Sequence, residues 1–189
     1  LRDEILFRQP ERTHVGDCPI CCLPLPIEMN GSSWYSCCST VICDRCAYAN
    51  YLRQLRQRLP SVCPFCRHPV PETKEEANKI NLKRVEANDP AALHNIGSKH
   101  HDEGDYEVAF EYWKKSAEFG NVMAHYELSV LYREGEGVEK DTKKELCHLE
   151  EAAIAGHPEA RFRLGCIEGE NSGFDRAVKH WVIAANLGH

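Results

Sequence analysis

Small and apolar residues recur at a regular interval through the C-terminal half of the chain. Gly120, Gly156 and Gly188 occupy equivalent positions, 36 and 32 residues apart. Three, seven and ten residues before these glycines stand further equivalent sets: Ala117, Ala153 and Ala185; Trp113, Leu149 and Trp181; Phe110, Leu146 and Val178. The preceding helical run also repeats, with small residues at Gly97, Ser129 and Gly165. Two helical runs per 32–36 residues predict an all-α solenoid of helix-turn-helix repeats.

The N-terminal half has shorter predicted elements. Four apolar residues at helical spacing predict a helix that Pro60 ends: Tyr48, Leu52, Leu55 and Leu59. Trp34 and Tyr35 are expected on a short strand that follows a turn at Asn30-Gly31. Two further helices are predicted, one short helix over 3–8 and a charged linking helix over 72–88.

Eight of the 11 cysteines lie between positions 18 and 66. They form three Cys-x-x-Cys pairs and one adjacent pair: Cys18 and Cys21, Cys43 and Cys46, Cys63 and Cys66, and Cys37 and Cys38. A Cys-x-x-Cys step brings two thiolates to one tetrahedral Zn²⁺ at about 2.3 Å, and a structural site takes four such ligands. The spacing therefore predicts two closed zinc sites. Disulfides are the alternative, but without a secretory leader this spacing favours metal binding in an intracellular, cytoplasmic protein.

The order of these pairs resembles the RING finger, in which two metals are held in a cross-brace. The resemblance implies that Cys18, Cys21, Cys43 and Cys46 bind one zinc, and that Cys37, Cys38, Cys63 and Cys66 bind the other. The chain departs from the family at the adjacent pair, since all-cysteine RINGs normally have one residue between these ligands. Thr40 stands where the commonest RING has histidine. Three residues are alternative ligands in place of one of the pair: His68, His14 and Cys22.

The repeats resemble the Sel-like repeat, a relative of the tetratricopeptide repeat. The fullest match runs from Ala124 through Leu128, Tyr132 and the Gly135-x-Gly137-Val138 turn to Gly156. This resemblance implies a scaffold that binds a protein partner. The other two units lack the Gly-x-Gly-Val turn.

Together the two resemblances imply a small zinc-stabilised α+β RING domain followed by an all-α solenoid. The expected divisions are an N-terminal flank over 1–17, the RING-type zinc finger over 18–68, a helical linker over 69–89 and about three repeats over 90–189. The chain begins at Leu1 rather than Met, and the last repeat ends at His189. We therefore expect it to be part of a longer protein.

The charge of the chain argues against nucleic acid as a partner. The formal net charge is −6, with eight arginines and six acidic residues in 1–70 but 15 basic and 23 acidic residues in 71–189. A nucleic-acid-binding surface needs a basic face, which this balance does not favour. No apolar run approaches the ~20 residues needed to cross a membrane.

The RING resemblance implies a ubiquitin ligase, which performs no covalent chemistry itself but positions a ubiquitin-loaded conjugating enzyme. Ile20 and Pro64 match the family's apolar contacts to that enzyme. Arg67 matches the arginine that bridges enzyme and ubiquitin, because its five donors suit two acceptors at once. Asn50 stands where a large apolar contact is common, and Tyr48 or Tyr51 are candidates to replace it. The alternative function is a non-catalytic, zinc-binding scaffold for protein–protein interaction, which Asn50 and the adjacent cysteines favour.

Several other residues are interpreted as structural. Trp113 and Trp181 share one repeat position and are expected in the core. Cys147 and Cys166 are expected to be small buried apolar residues. The histidines of the repeat region show no metal-binding spacing, and no nucleophile–base constellation or phosphate-binding glycine loop is present in the sequence.

Overall fold

The structure is a computed structural model that describes residues 2–27 and 31–189. The chain divides into two units. The cysteine-rich unit comprises Val15–Ala92, and the repeat unit comprises Leu1–His14 together with Leu93–His189. The predicted linking helix therefore belongs with the cysteines, whereas the first part of the predicted N-terminal flank belongs with the repeats. Within the described ranges, no helix is long and apolar enough to cross a membrane.

The cysteine-rich unit contains one antiparallel strand pair and two helices. Strand β1, Ser32–Tyr35, pairs with β2, Thr40–Cys43, so that Ser32 lies opposite Cys43. Helix α2, Asp44–Gln57, follows β2 directly, and α3 spans Lys74–Glu86. Trp34 and Tyr35 lie on a strand as predicted, while Asn30 of the predicted turn lies outside the described residues.

Helix α2 differs from its prediction in length and in the face that it buries. It ends at Gln57, because Arg58 adopts the left-handed conformation (φ 51°) as its C-cap, two residues before Pro60. The apolar stripe is not a core face, since Tyr48 and Leu55 are each 62% exposed. Gln54 is buried instead and donates through Nε2 to the Val62 carbonyl at 2.9 Å. A small unit has a small interior relative to its surface, so it cannot bury every apolar side chain.

The repeat unit is a solenoid of three helix pairs preceded by a short helix, α1, Arg2–Leu6. The pairs are α4 with α5, α6 with α7, and α8 with α9, over Pro90–Asp102, Tyr106–Glu118, Val122–Glu134, Thr142–Ile154, Pro158–Glu170 and Phe174–Asn186. One buried cluster joins α5 to α6 around Trp113 and Leu128. A second joins α7 to α8 around Leu149 and Leu164. Each pair thus buries its apolar face against the next, as expected of a repeat array.

Side chains at the helix starts and one glycine turn define where the helices of the repeats begin and end. Asn121, Asp141 and His157 accept hydrogen bonds from free backbone N–H groups at the starts of α6, α7 and α8. Gly137 lies in the longer turn of the middle repeat at φ 63°, where a Cβ atom would collide with the Tyr106 backbone. The Gly-x-Gly-Val turn of the middle repeat therefore needs glycine at this position.

The repeated tryptophans are packed against helical glycines. Trp113 is buried over Gly97, and its Nε1 donates to the His94 carbonyl at 3.1 Å. Trp181 packs over Gly165 in the same way but is 37% exposed. The prediction that its side chain lies in the core is therefore confirmed only in part. The middle repeat has the smaller Leu149 at the tryptophan position and the larger Ser129 at the glycine position, both buried.

The substitution Gly97→Ala is expected to lower the free energy of unfolding of the repeats by about 1–3 kcal/mol. The added Cβ would overlap the Trp113 indole, which is 2% exposed. Gly169→Ala is the matched control, because its Cβ would meet nothing closer than 3.7 Å. That variant should gain roughly 0.5–1 kcal/mol from helix propensity alone. Chemical denaturation checks both, and equal effects of the two variants would contradict the packing explanation.

The expectation that Cys147 is buried is wrong. Its side chain is exposed, and Cys166 is half-buried. Helix α7 buries the face that carries Leu149 and Ala153. Cys147 lies two residues from Leu149, about 200° around the helix, and therefore faces solvent.

Candidate metal centres

The structure brings the eight cysteine sulfurs into two groups of four. One group contains Cys18, Cys21, Cys43 and Cys46, and the other contains Cys37, Cys38, Cys63 and Cys66. Within each group all sulfur atoms lie within 4.8 Å of one another. The groups alternate along the chain, so that each cysteine pair is followed by a pair of the other group. Each group therefore joins two cysteine pairs that are separated in the sequence by a pair of the other group.

The sulfur separations suit a tetrahedral ion. Four ligands at about 2.3 Å from a central zinc would lie about 3.8 Å apart. Cys21 Sγ and Cys43 Sγ are separated by 3.7 Å, and Cys38 Sγ and Cys63 Sγ by 3.8 Å. The Cys37–Cys66 pair is somewhat closer, at 3.4 Å. Four thiolates in this arrangement can hold one Zn²⁺ and leave no open coordination position.

Two Cys-x-x-Cys loops, Cys18–Cys21 of the first group and Cys63–Cys66 of the second, share one backbone geometry. The Cys18 N–H donates to the Leu23 carbonyl at 2.8 Å, and the Cys63 N–H donates to the His68 carbonyl at the same distance. The residue after the second cysteine is left-handed in both loops, with φ 57° at Cys22 and φ 65° at Arg67. The shared turn points the sulfurs of each pair toward one place.

The remaining cysteines come from the strand pair and from α2. Cys43 ends β2 and forms the N-cap of α2, while Cys46 lies in the first turn of that helix. Cys37 and Cys38 lie in the turn between β1 and β2, where Ser39 adopts φ 52°. Arg84, in the last turn of α3, holds this turn through a hydrogen bond from its Nη1 to the Cys37 carbonyl at 3.4 Å.

Arg84 and Asp89 brace the turn that carries Cys37 and Cys38. The Arg84 Nε donates to Ser39 Oγ at 2.8 Å, and Ser39 Oγ donates to Asp89 Oδ1 at 2.9 Å. Arg84 also forms an ion pair with Asp89. Burial acts to raise the pKa of Asp89, but hydrogen bonds from the Ala92 backbone, Arg84 and Ser39 lower it. The predicted linker therefore supports the second sulfur group directly.

The thiols of each group have opposed pKa shifts. Burial would raise the pKa of Cys18, but backbone N–H groups of Cys21, Cys43 and Ile20 lower it to about 6. Burial, followed by the neighbouring thiols, raises the pKa of Cys46 to about 12. Burial likewise raises the pKa of Cys37. Crowded thiols cannot all ionise without a cation among them, and a coordinated ion would deprotonate all four.

The three alternative ligands are not part of either group. In the described residues, the clusters of potential ligands contain neither His68 nor His14 nor Cys22. Cys22 is exposed, and His14 belongs to the repeat unit, where its ring stacks on His157 at 4.4 Å. Cys37 and Cys38 contribute both of their sulfurs to the second group.

The residues predicted to contact a conjugating enzyme are accessible. Ile20 is 45% exposed, Arg67 is exposed, and Pro64 is half-buried. Phe65 was missed by the sequence reasoning, although it occupies in its own Cys-x-x-Cys loop the position that Ile20 has in the other. It is 55% exposed. The shared position within the two loops was the signal that identifies it.

Asn50 supports the loop before Cys63. Its Nδ2 donates to the Val62 carbonyl at 3.4 Å, the same carbonyl that Gln54 contacts. Tyr48 and Tyr51, the candidates to replace its contact, are both exposed, and their ring centroids are 6.4 Å apart. An accessible aromatic pair therefore lies on α2 beside the amide.

The repeat region matches a known family model. The Sel1 repeat model matches three consecutive stretches, 90–121, 122–157 and 158–189, which together exceed half of the chain. The chain belongs to the Sel1 repeat family. This result confirms the predicted repeats over 90–189.

A solved structure shows the same likeness. A Sel1 repeat protein from Oxalobacter formigenes matches with a TM-score of 0.56 and 26% sequence identity. The match covers 64% of this chain and 52% of that chain, so it spans about half the length of that protein. A comparison with curated proteins finds no match.

The N-terminal segment, residues 2–14, packs on the last two Sel1 repeats. Leu6 is buried in the cluster around Leu149 and Leu164. The Phe7 ring lies 4.7 Å from the His180 ring, centroid to centroid. The sequence reasoning did not predict this docking, because a five-residue helix outside the repeat period carries no signal of its partner.

A buried arginine anchors the segment. Arg161 is fully buried, and burial lowers the pKa of its guanidinium to about 10. Its Nη1 donates to the Leu6 carbonyl, and its Nη2 donates to the Ala153 carbonyl at 2.7 Å. One signal was present in the sequence, since Arg161 stands where the first repeat has the buried Leu93.

Ion pairs hold the start of the segment at the surface. Arg2 pairs with Glu150 of α7, and Asp3 Oδ2 accepts from Arg176 Nη1 of α9 at 2.8 Å. These pairs are largely exposed and contribute little to stability by themselves. They do fix which charge of the segment faces which helix.

Proposed function

We propose that residues 18–68 form a RING-type zinc finger that binds two Zn²⁺ ions and acts in ubiquitin transfer. In this proposal the finger positions a ubiquitin-loaded conjugating enzyme, and the Sel1 repeats bind a protein partner or substrate. The observation that carries the proposal is the alternation of two four-cysteine groups, with the exposed Ile20 and Arg67 beside them. The zinc ions would be structural, since four thiolates close each site.

The chemistry assigned to this chain is positioning. Apolar side chains on the two Cys-x-x-Cys loops, Ile20, Pro64 and Phe65, would seat the conjugating enzyme. Arg67 has its backbone fixed by its N–H bond to the Cys63 carbonyl at 3.0 Å, while its side chain is exposed. A planar guanidinium at this place suits simultaneous contact with enzyme and ubiquitin. Holding the loaded enzyme in a reactive geometry lowers the barrier to transfer without a nucleophile from this chain.

The second candidate function is a zinc-binding scaffold without ubiquitin transfer. One observation favours it: Asn50 uses its amide to hold the Val62 carbonyl and offers no apolar contact. The repeats would then assemble partners, and the cysteine-rich unit would be an interaction module. Fold resemblance does not by itself establish activity.

The substitution Arg67→Ala is expected to slow ubiquitin discharge from a loaded conjugating enzyme by about tenfold or more, as loss of an arginine hot spot would. Ile20→Ala should instead weaken docking of the enzyme, because a small apolar contact is worth about 1–3 kcal/mol. Arg67→Lys should rescue poorly, since an ammonium lacks the planar fork. Single-turnover discharge assays with several conjugating enzymes measure these effects.

Cys22→Ala is the matched control for Arg67→Ala. Cys22 follows the second cysteine of the equivalent loop, has the same left-handed backbone and is exposed. It should keep both zinc ions and full discharge activity. If the wild-type chain fails to accelerate discharge from every conjugating enzyme of a broad panel, the ligase proposal fails and the scaffold function remains. Activity that survives Arg67→Ala would instead remove only the role given to Arg67.

A further inference from the structure

The cleft that holds the N-terminal segment has a counterpart one repeat earlier. The segment lies against α7, α8 and α9, and we call this the occupied cleft. A second cleft, of about 260 Å³, is lined entirely by α5, α6 and α7, and we call it the open cleft. Its volume lies below the range of about 300–1,000 Å³ typical of small-molecule pockets, so it suits one or two protruding side chains better.

The two clefts correspond position by position. Phe110, Leu128 and His148 of the open cleft are the repeat equivalents of Leu146, Leu164 and His180. In the occupied cleft, Leu146 and Leu164 share a cluster with Leu6, and His180 contacts Phe7. The open cleft thus has an apolar floor and a histidine wall where its counterpart receives Leu6 and Phe7.

The histidine at the Arg161 position keeps one of the arginine's contacts. His125 hydrogen-bonds to the backbone of Ala117, just as Arg161 hydrogen-bonds to the equivalent Ala153. Its Nδ1 lies 3.0 Å from Nδ1 of His148, which also lines the open cleft. The open cleft therefore has a shorter side chain where Arg161 stands in the occupied cleft.

The charges at the rim are changed in a specific way. Glu150, which pairs with Arg2, is replaced by the exposed Lys114. Arg176, which pairs with Asp3, is replaced by Lys144, whose Nζ lies 5.2 Å from the Tyr132 ring centroid. The open cleft is therefore basic at both positions where a bound segment places its first charges. Glu118 also lines the cleft, and Lys144 forms a surface ion pair with Asp141 at 3.6 Å, which an acidic segment would have to replace or share.

We propose that the open cleft binds a linear peptide with two adjacent acidic residues and, three residues further on, two adjacent large apolar residues. The apolar pair would enter the cleft as Leu6 and Phe7 enter the occupied one, and the acidic pair would meet Lys114 and Lys144. The inference deepens the proposed partner-binding role of the Sel1 repeats and rests on that role. The chain's own segment does not fit the open cleft as well, because Arg2 would face Lys114.

Fluorescence anisotropy with the full chain tests this assignment. The probes are two labelled peptides, one with the sequence of residues 1–10 and one with the same sequence carrying Arg2→Asp. The Arg2→Asp peptide is expected to bind saturably, and about two- to fivefold more tightly than the native peptide, the effect of one exposed charge pair. Lys114→Glu should reverse this preference, and because Lys114 is exposed this variant should fold normally.

Phe110→Asp should weaken binding of the Arg2→Asp peptide by at least about tenfold, because it places a charge where an apolar side chain would be buried. Val178→Asp is the matched control, since Val178 is the repeat equivalent on α9 and is 52% exposed. It should leave binding unchanged. Circular dichroism checks that each variant is folded.

Three results would overturn the proposal. The first is no binding of either peptide to the wild-type chain, and the second is equal binding of both peptides with no response to Lys114→Glu. The third is peptide binding that is unchanged by Phe110→Asp but becomes tighter when Leu6→Ala is made in the chain. That result would show that the peptide displaces the chain's own segment from the occupied cleft. The assay contains no ubiquitin or conjugating enzyme, so failure of the ligase proposal leaves its outcome unaffected.

Discussion

Removal of the proposed zinc ions is expected to unfold the cysteine-rich unit and to leave most of the helix in the repeat unit. Structural Zn²⁺ contributes about 10–16 kcal/mol of apparent binding free energy in small domains, as much as the ~5–15 kcal/mol stability of a whole domain. The cysteine-rich unit has little else to hold it, since its described core is one small cluster around Cys18, Leu25 and Ile42. The repeat unit has its own clusters around Trp113 and Leu149.

Elemental analysis should first find two zinc ions per chain. Hydrogen exchange read by mass spectrometry should then show loss of protection over 18–66 on chelation, with protection kept over 122–186. Cys147→Ala is the control, since this thiol lies outside both sulfur groups. Loss of all helical circular dichroism on chelation would show that the repeats depend on the metal. One zinc ion per chain, or none, would remove the two-site assignment.

The elements that follow from local chemistry could be predicted from the sequence. The repeats could be predicted because equivalent positions carry residues of matched size: glycine with tryptophan in two units, as at Gly97 and Trp113, and serine with leucine in the middle one. The number of sites followed from the spacing of the eight cysteines and their grouping from the resemblance to the RING finger, although zinc binding itself stays a prediction. Whether Cys37 and Cys38 both belonged to one group could not be decided from spacing alone. It depends on the left-handed turn at Ser39 and its hydrogen bond from Arg84, 45 residues away.

The features that depend on distant packing could not be predicted. Leu6 meets Arg161 across 155 residues, and nothing near either residue in the sequence specifies the other. Helical periodicity in α2 predicts an apolar stripe but not whether anything covers it, and Tyr48 and Leu55 are exposed. Exposed aromatic and aliphatic side chains on α2, together with the exposed Ile20 and Phe65, are a reason to look for a partner on this unit.

Acidification is expected to destabilise the repeat unit, although Glu127, whose pKa burial raises to about 7, opposes this in part. Burial lowers the pKa of four of its histidines to about 4, 4, 3 and 4: His94, His148, His157 and His180. In the unfolded chain each would titrate near ~6.5. Their folded-state pKa values lie below the unfolded one, so unfolding takes up protons as the pH falls. The stability that these histidines contribute is complete above pH ~6.5 and is lost between pH ~6.5 and about 4.

Each histidine should cost about 1.4 kcal/mol per pH unit in this window, or about 2 kcal/mol at pH 5. Even half of that, summed over four residues, is a large share of the ~5–15 kcal/mol that stabilises a typical domain. Hydrogen exchange of α6 to α9 between pH 7 and pH 5, corrected for intrinsic rates, measures the loss separately from any zinc release.

His157→Asn should reduce the pH dependence by about one histidine's share, because asparagine keeps the N-cap of α8 but does not titrate. His189→Asn, at an exposed position, is the control for the replacement of a histidine by asparagine outside the core. Equal protection at pH 7 and pH 5 would show that protonation of these buried rings does not limit the stability of the repeats.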